Sequence, residues 1–362
     1  MIEQGRISPI QLAILIHPTI LATALVTMPA LTAKYAHQDL WLSPLLAGLP
    51  GVLALIVAYQ LHKQFPGKTP IQYFQDILGT YLGKMIGLVY LFIYIQICGM
   101  TLRQYADFIA GTVLPLTPTL ITVSSLVFVC ALAVYGGVEL IARSAQALIP
   151  IATITIVFMI VVMIPDMDFK QIRPILGDGF HPLLLGAWGP AGWFSEVMLF
   201  SFIFPFVTES RGVWKWSCIS LIAVVLTTMI VNLACYLVLT TVLEGTSYPL
   251  LIAIRNVSLS DFFEHVESLL MAIWVIGLFV KLAVIYYIVV LGLAQWLRLD
   301  DYRVLILPIG FLLMLFSHWA GTNSQYIAFH AAKYAPFYLL TFQFVLPALL
   351  LMVSTIRRAW KI

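Results

Sequence analysis

Long apolar segments recur along the whole of this 362-residue chain. A helix needs roughly 20 apolar residues to cross a bilayer. By that rule we predict about ten spans, numbered here in chain order: 10–36, 42–61, 84–113, 119–135, 139–164, 182–207, 213–243, 268–297, 304–319 and 335–355. Composition agrees, because 62% of the residues are hydrophobic and only 10% are charged. The sequence therefore predicts an all-α integral membrane protein, a single domain over 1–362 embedded in the lipid bilayer of a cell membrane.

The positive charges divide unequally between the two ends of the predicted bundle. If the N-terminus is cytoplasmic, twelve of them lie inside: Arg6, Lys63, Lys68, Lys84, Arg143, Arg211, Lys215, Arg298, Arg303, Arg357, Arg358 and Lys361. Five lie outside: Lys34, Lys170, Arg173, Arg255 and Lys333. Because Lys and Arg are enriched in cytoplasmic loops, we predict that both termini are cytoplasmic and that the number of spans is even. The net charge of +3 then reflects topology and does not indicate a nucleic-acid partner.

Motifs that carry catalytic chemistry are missing from the sequence. It contains no P-loop, no HExxH metal site and no serine nucleophile elbow. The four cysteines lie inside predicted spans without CxxC spacing, as buried free thiols would: Cys98, Cys130, Cys218 and Cys235. We therefore expect neither enzymatic activity nor a cofactor or metal.

Spans 1 and 6 both contain helix-breaking residues. The breakers are Pro18 and Pro29 in span 1, and Gly189, Pro190 and Gly192 in span 6. Ten spans would form two repeats of five, about 8–165 and 181–356, and an odd number of spans per repeat inverts the second repeat in the membrane. Breaks at corresponding positions of two repeats indicate a transporter-like binding site, whereas proline kinks alone are common in membrane helices.

Several stretches resemble known transporter sequences. ATALVTMP resembles the GSGIFxLP-type first-helix motif of the amino acid–polyamine–organocation superfamily, with Ala22 and Ala24 where that family prefers glycines. The stretches that resemble the spore germination permease family, the B subunits of germinant receptors, are, in chain order, ISPIQLAIL, FPGKTPIQYFQDILG, LRQYADFIAGTVLPLTP, YGGVELIARSAQAL, SEVMLFSFIFPFV and HVESLLMAIWVIGLFVK. The resemblance implies a 5+5 inverted-repeat transporter fold with spans 1 and 6 unwound. It also implies the sensing of small nutrients, typically amino acids, in the spore inner membrane, with other receptor subunits as partners.

The ligand site follows from the backbone chemistry of an unwound span. Unwinding at mid-bilayer exposes N–H and C=O groups that lipid cannot satisfy, so they must line a cavity and meet a ligand. We therefore expect a small zwitterion between 19–24 of span 1 and 189–196 of span 6. The candidate ligand-binding residues are Thr19, Ala22, Thr23, Ala24, Tyr94, Gly189, Gly192, Trp193, Ser195, Glu196 and Phe200. Of these, the aromatic residues Tyr94, Trp193 and Phe200 also fit ordinary packing, as most aromatic residues of the spans do.

Lys281 is a charge in the middle of span 8. It lies roughly 14 residues from either end, too far for its ammonium to reach an interface easily. A contact with Glu196 or with a carbonyl of span 1 would place a fixed cation where sodium-coupled relatives of the resembled fold hold sodium. The alternative is a structural pair that locks the bundle.

Three functions remain open from the sequence. The chain could be a germinant-receptor subunit that binds an amino acid and signals to partners, an amino-acid permease acting alone, or a water or ion conduit opened by its ligand. Binding and transport need the same cavity and differ in whether a release route opens.

Overall fold

The computed structural model describes residues 3–256, 266–321, 330 and 333–359. Its helices are α1 (Pro9–Ala36), α2 (Ser43–Gln64), α3 (Pro70–Leu78), α4 (Thr80–Thr112), α5 (Thr119–Tyr135), α6 (Gly137–Met163), α7 (Phe180–Ser195), α8 (Ser210–Leu239), α9 (Pro249–Asn256), α10 (Val266–Leu297), α11 (Ile306–Trp319), α12 (Ala335–Leu340) and α13 (Leu346–Ala359). Helix α7 continues as a 3-10 helix, Glu196–Phe202, and a π-helical segment, Thr341–Val345, joins α12 to α13.

The helices confirm the all-α membrane architecture. Seven helical stretches among the described residues are long and apolar enough to cross a bilayer. The first of them, Pro9–Gln64, contains both α1 and α2, and two shorter apolar helices occupy Thr119–Tyr135 and Arg303–Trp319. Each predicted span thus overlaps a helix. The count of ten and the division into two repeats stay predictions.

Helix α1 lies in the centre of the bundle. It packs against α6, α7, α8 and α10, and most of its residues are buried. Helix α2 fixes the end of α7 from another side, since a Cβ added at Gly51 would lie 2.8 Å from the carbonyl oxygen of Phe194. Such a close backbone approach is possible only because glycine has no side chain. These contacts hold the middle of α1 beside the point where α7 ends.

The predicted unwinding of span 1 is not observed, because α1 is a continuous α-helix despite its two internal prolines. Each proline removes one backbone donor, but threonine hydroxyls add bonds to carbonyls four residues back. Thr19 donates to the carbonyl of Leu15 at 2.7 Å, and Thr27 donates to that of Thr23 at 2.8 Å. Such back-bonding bends a helix without ending it.

Span 6 changes geometry later than predicted. The breakers were expected to interrupt it, but α7 runs through all three and ends at Ser195, after which the chain tightens into the 3-10 helix. The glycines instead serve packing. A Cβ added at Gly189 would lie 2.6 Å from Cδ2 of Leu31, and one at Gly192 would lie 3.2 Å from Cα of Pro336.

Segments predicted to be cytoplasmic meet at one end of the bundle. The backbone N–H of Ile7 donates to the carbonyl of Phe206 at 3.0 Å, and the guanidinium of Arg6 donates to that of Pro205 at 2.9 Å. Near them, Tyr302 from the α10–α11 turn donates to the carboxylate of Glu3 at 3.3 Å. The N-terminus, the end of span 6 and the α10–α11 turn therefore share one end.

Segments predicted to be external meet at the opposite end. The side chain of Gln38 donates to the carbonyl of Pro174 at 3.0 Å, and the carboxylate of Asp39 accepts from the backbone N–H of Leu176 at 3.0 and 3.1 Å. The structure thus confirms the grouping of the loops. Which end faces the cytoplasm stays a prediction.

Candidate functional site

A buried ion pair lies at the centre of the bundle. The ammonium of Lys281 is 2.7 Å from Oε2 of Glu196, and the two side chains are only 1% and 2% exposed. The same ammonium donates to the hydroxyl of Thr23 at 3.1 Å. Three elements meet there: the middle of α10, the middle of α1 and the first residue of the 3-10 helix. The predicted contact between Lys281 and Glu196 is therefore present, and span 1 contributes a hydroxyl where a carbonyl was the expected partner.

This pair is energetically expensive to separate. Taking both charges out of water costs several kcal/mol per ion, and their attraction offsets this cost only while both are present. Removing one partner leaves a buried charge without compensation, which costs about 3–5 kcal/mol. A polar ligand that brings its own charges can take the place of either partner without that penalty.

Helix α10 holds the neighbouring turn of α1 as well. The indole N–H of Trp274 donates to the carbonyl of Ala22 at 2.7 Å. One turn later, a Cβ added at Gly277 would lie 3.2 Å from the Cβ of Ala22. The carbonyl of Ala22 already has a donor, so a ligand would compete with Trp274 for it.

A second polar contact lies one residue before Glu196. The hydroxyl oxygen of Ser195 is 2.6 Å from the carbonyl oxygen of Gly192 and 2.7 Å from Oε1 of Gln343. Both side chains are fully buried. Gln343 belongs to the π-helical segment, which packs against the 3-10 helix. Two segments of unusual helical geometry therefore meet beside the ion pair.

Aromatic rings form the wall on the side of α4. The rings of Tyr90 and Tyr94 meet edge to face at 5.0 Å, and Tyr94 also meets Phe202 of the 3-10 helix at 6.1 Å. The hydroxyls of both tyrosines are buried and have no hydrogen-bond partner among the described residues. Such groups normally find a partner in a protein or in ordered water. Tyr94 thus brings a buried hydroxyl to this wall, beside the hydroxyl of Tyr90.

The remaining candidates occupy scattered positions. Thr19 is buried and bonds within α1, while Ala24, Trp193 and Phe200 are buried in the core. Gly189 faces the C-terminal half of α1, and Gly192 faces α12. Of the predicted set, the structure brings together Thr23, Glu196 and Lys281, with Ser195 next to them. Ligand contact by any of these residues stays a prediction.

Sequence reasoning missed Gln343 as a member of this centre. One signal was available: the residue is an amide within the apolar run of span 10, four residues before Pro347. Proline cannot donate to the carbonyl four residues earlier and clashes with it, so the helix widens there into a π segment. Such segments occur frequently at functional sites.

Comparison with protein families assigns the chain to a known family. Residues 6–326 match the family model of the spore permeases, described as spore germination proteins. The chain belongs to the spore germination permease family. Two relatives from Bacillus subtilis (strain 168) match over nearly their whole lengths. Spore germination protein KB is 25% identical over 99% of this chain and 96% of its own, and spore germination protein YndE is 24% identical over 98% of each.

Solved structures with a similar fold are membrane transporters. MhsT in complex with L-phenylalanine superposes with a TM-score of 0.72 at 10% identity, covering 99% of this chain and 91% of MhsT. A nucleobase-cation-symport-1 family transporter with bromovinylhydantoin bound superposes with a TM-score of 0.70 at 14% identity, covering 89% of this chain and 75% of the transporter. The spore permease is thus a multi-pass membrane protein with a transporter fold. Family and fold indicate a receptor or transporter and not an enzyme.

Proposed function

We propose that this spore permease is a germinant-receptor subunit that binds a small nutrient, an amino acid, and signals germination to partner subunits. The ligand lies between α1 and the junction of α7 with its 3-10 helix. The subunit works in the spore inner membrane with both termini in the cytoplasm. From the predicted ranges of the two spans, 19–24 and 189–196, the site uses Ala22 and Thr23 of α1 and Ser195 and Glu196 at the end of span 6.

The observation that carries this proposal is the buried contact of Lys281 with Glu196 and Thr23. An amino acid is a zwitterion, and its carboxylate and ammonium match the ammonium of Lys281 and the carboxylate of Glu196 in charge. The ligand can therefore exchange partners with the pair while each buried charge stays compensated. Because the pair joins α1, α10 and the 3-10 helix, this exchange changes how three elements are held together.

The experiment combines binding, uptake and physiology. Purified spore permease in liposomes is tested for uptake of the twenty radiolabelled standard amino acids, and spores lacking its gene are tested for germination with each of them. A receptor subunit predicts saturable binding without uptake and loss of the germination response to the bound amino acid. Uptake of an amino acid together with an unchanged germination response would indicate a permease. Amino-acid-dependent water or ion flux without uptake would indicate a conduit.

A further inference from the structure

The amide of Gln343 has hydrogen-bonding capacity that the described residues of the protein do not use. Its side chain is fully buried, and Nε2 finds no acceptor among the described residues. A buried polar group without a partner costs about 1–3 kcal/mol, and native proteins retain few of them. This amide is therefore a place where a partner other than the described side chains is expected.

Proton counting around Ser195 strengthens this conclusion. Its hydroxyl lies within hydrogen-bond distance of both the Gly192 carbonyl and the Gln343 amide, but it has a single proton. If that proton goes to Gln343, both amide N–H groups are free. If the proton goes to Gly192, the positions of Oε1 and Nε2 of Gln343 are exchanged, so that Nε2 donates one hydrogen bond to Ser195. This leaves one N–H of the amide free. In either arrangement the amide retains a free donor.

The backbone around Gln343 holds this donor in place. The π-helical segment ends two residues before Pro347, packs against the 3-10 helix and thereby brings the amide beside Ser195 and Glu196. Span 10 can approach so closely because Gly192 has no side chain: an added Cβ would lie 3.0 Å from Leu339. The amide thus lies on a packed helical segment and not on a loop.

We infer that Gln343 is a ligand-binding residue whose amide donates a hydrogen bond to the carboxylate of a small zwitterionic ligand. This inference rests on the proposed function and adds span 10 to the site. A donor suits a carboxylate oxygen, and the hydrogen bond is stronger when the acceptor is charged. The ammonium of the same ligand then faces Glu196, one residue after the serine that orients the amide.

The test compares two kinds of ligand on matched variants of the full-length protein in nanodiscs. The probes are the twenty standard L-amino acids and their α-carboxamides, whose neutral oxygen accepts a weaker hydrogen bond. Gln343→Met keeps the length of the side chain and removes the donor. Gln60→Met, at an exposed position of α2, is the control. We expect Gln343→Met to weaken binding of the amino acid by about tenfold and of its carboxamide by about threefold, while the control binds both like the parent.

The ratio of the two losses separates ligand contact from a structural role. Equal losses for acid and carboxamide, or unchanged affinity for both, would overturn the inference while leaving the proposed function intact. If the parent protein binds no amino acid, the proposed function fails and the inference fails with it. Should Gln343→Met not elute as a monodisperse species, Gln343→Asn, which retracts the amide by one methylene, decides by the same ratio.

Discussion

At the scale of residues, the site depends on a few charges in an apolar core. The buried charged side chains among the described residues are Glu3, Asp39, Glu196 and Lys281. Lys281 is the single cation among them, so few carboxylates can be its partner. This is why the sequence could name Glu196 as a possible contact. The sequence named Thr23 as a candidate ligand-binding residue but not as a partner of Lys281, and it did not identify Gln343, since a neutral hydroxyl or amide in a span has many possible partners until the packing is known.

Replacing Lys281 should separate stability from ligand response. Lys281→Met leaves the carboxylate of Glu196 buried without its partner, so we expect a loss of about 3–5 kcal/mol in stability and no thermal shift with any amino acid. The double variant Lys281→Met with Glu196→Gln removes both charges, so it should regain part of the melting temperature but not the shift. Thermal melting of the purified proteins measures both effects.

A control variant and the replacement of sodium by choline complete this test. Lys63→Met, at an exposed position of α2, should melt and respond like the parent protein. Since Lys281 supplies a fixed positive charge, the amino-acid-induced shift of the parent should be the same in sodium chloride and in choline chloride. A stable and fully responsive Lys281→Met protein would show that Lys281 neither stabilises the bundle nor takes part in the ligand response.

At the scale of elements, sequence patterns predicted where helices lie better than where they change shape. Each span overlaps a helix because apolar length alone decides whether a segment can cross a bilayer. The breakers in span 6 failed as markers of unwinding because glycine also permits close packing, which is how Gly189 and Gly192 are used. In span 1 the helix stays continuous through both prolines, and hydroxyls such as that of Thr19 bond back to carbonyls within it.

Close packing of α2 on α7 predicts a steep cost for one added methyl group. In Gly51→Ala the new Cβ would lie 2.8 Å from the carbonyl oxygen of Phe194, so the helices must move apart at a cost of about 1–3 kcal/mol. Gly111→Ala in α4 is the matched control, because nothing lies within 4 Å of the added Cβ. Thermal melting should show a lower midpoint for Gly51→Ala alone. Equal midpoints would contradict the described contact between α2 and α7.

At the scale of the whole molecule, the loops group at two ends in the way that alternating spans require. The orientation of those ends in the membrane is predicted by the twelve-to-five distribution of Lys and Arg. Lys68→Cys and Ser247→Cys place thiols at exposed positions of opposite ends. In a Cys218→Ala background, where the three remaining cysteines are buried, a membrane-impermeant maleimide should label Ser247→Cys from outside and Lys68→Cys only after permeabilisation. The opposite pattern would invert the topology.

Saturable amino-acid binding to purified spore permease is the measurement that tests the central claim most directly. The twenty radiolabelled standard amino acids are titrated against the parent, Ala22→Leu and Ala147→Leu. Ala22 faces α10 next to Thr23, whereas Ala147 is exposed on α6. A leucine at 22 would crowd α10 beside the ion pair, so we predict binding by the parent and by Ala147→Leu but none by a monodisperse Ala22→Leu protein. Parent-like affinity in Ala22→Leu would place the ligand elsewhere and contradict the account.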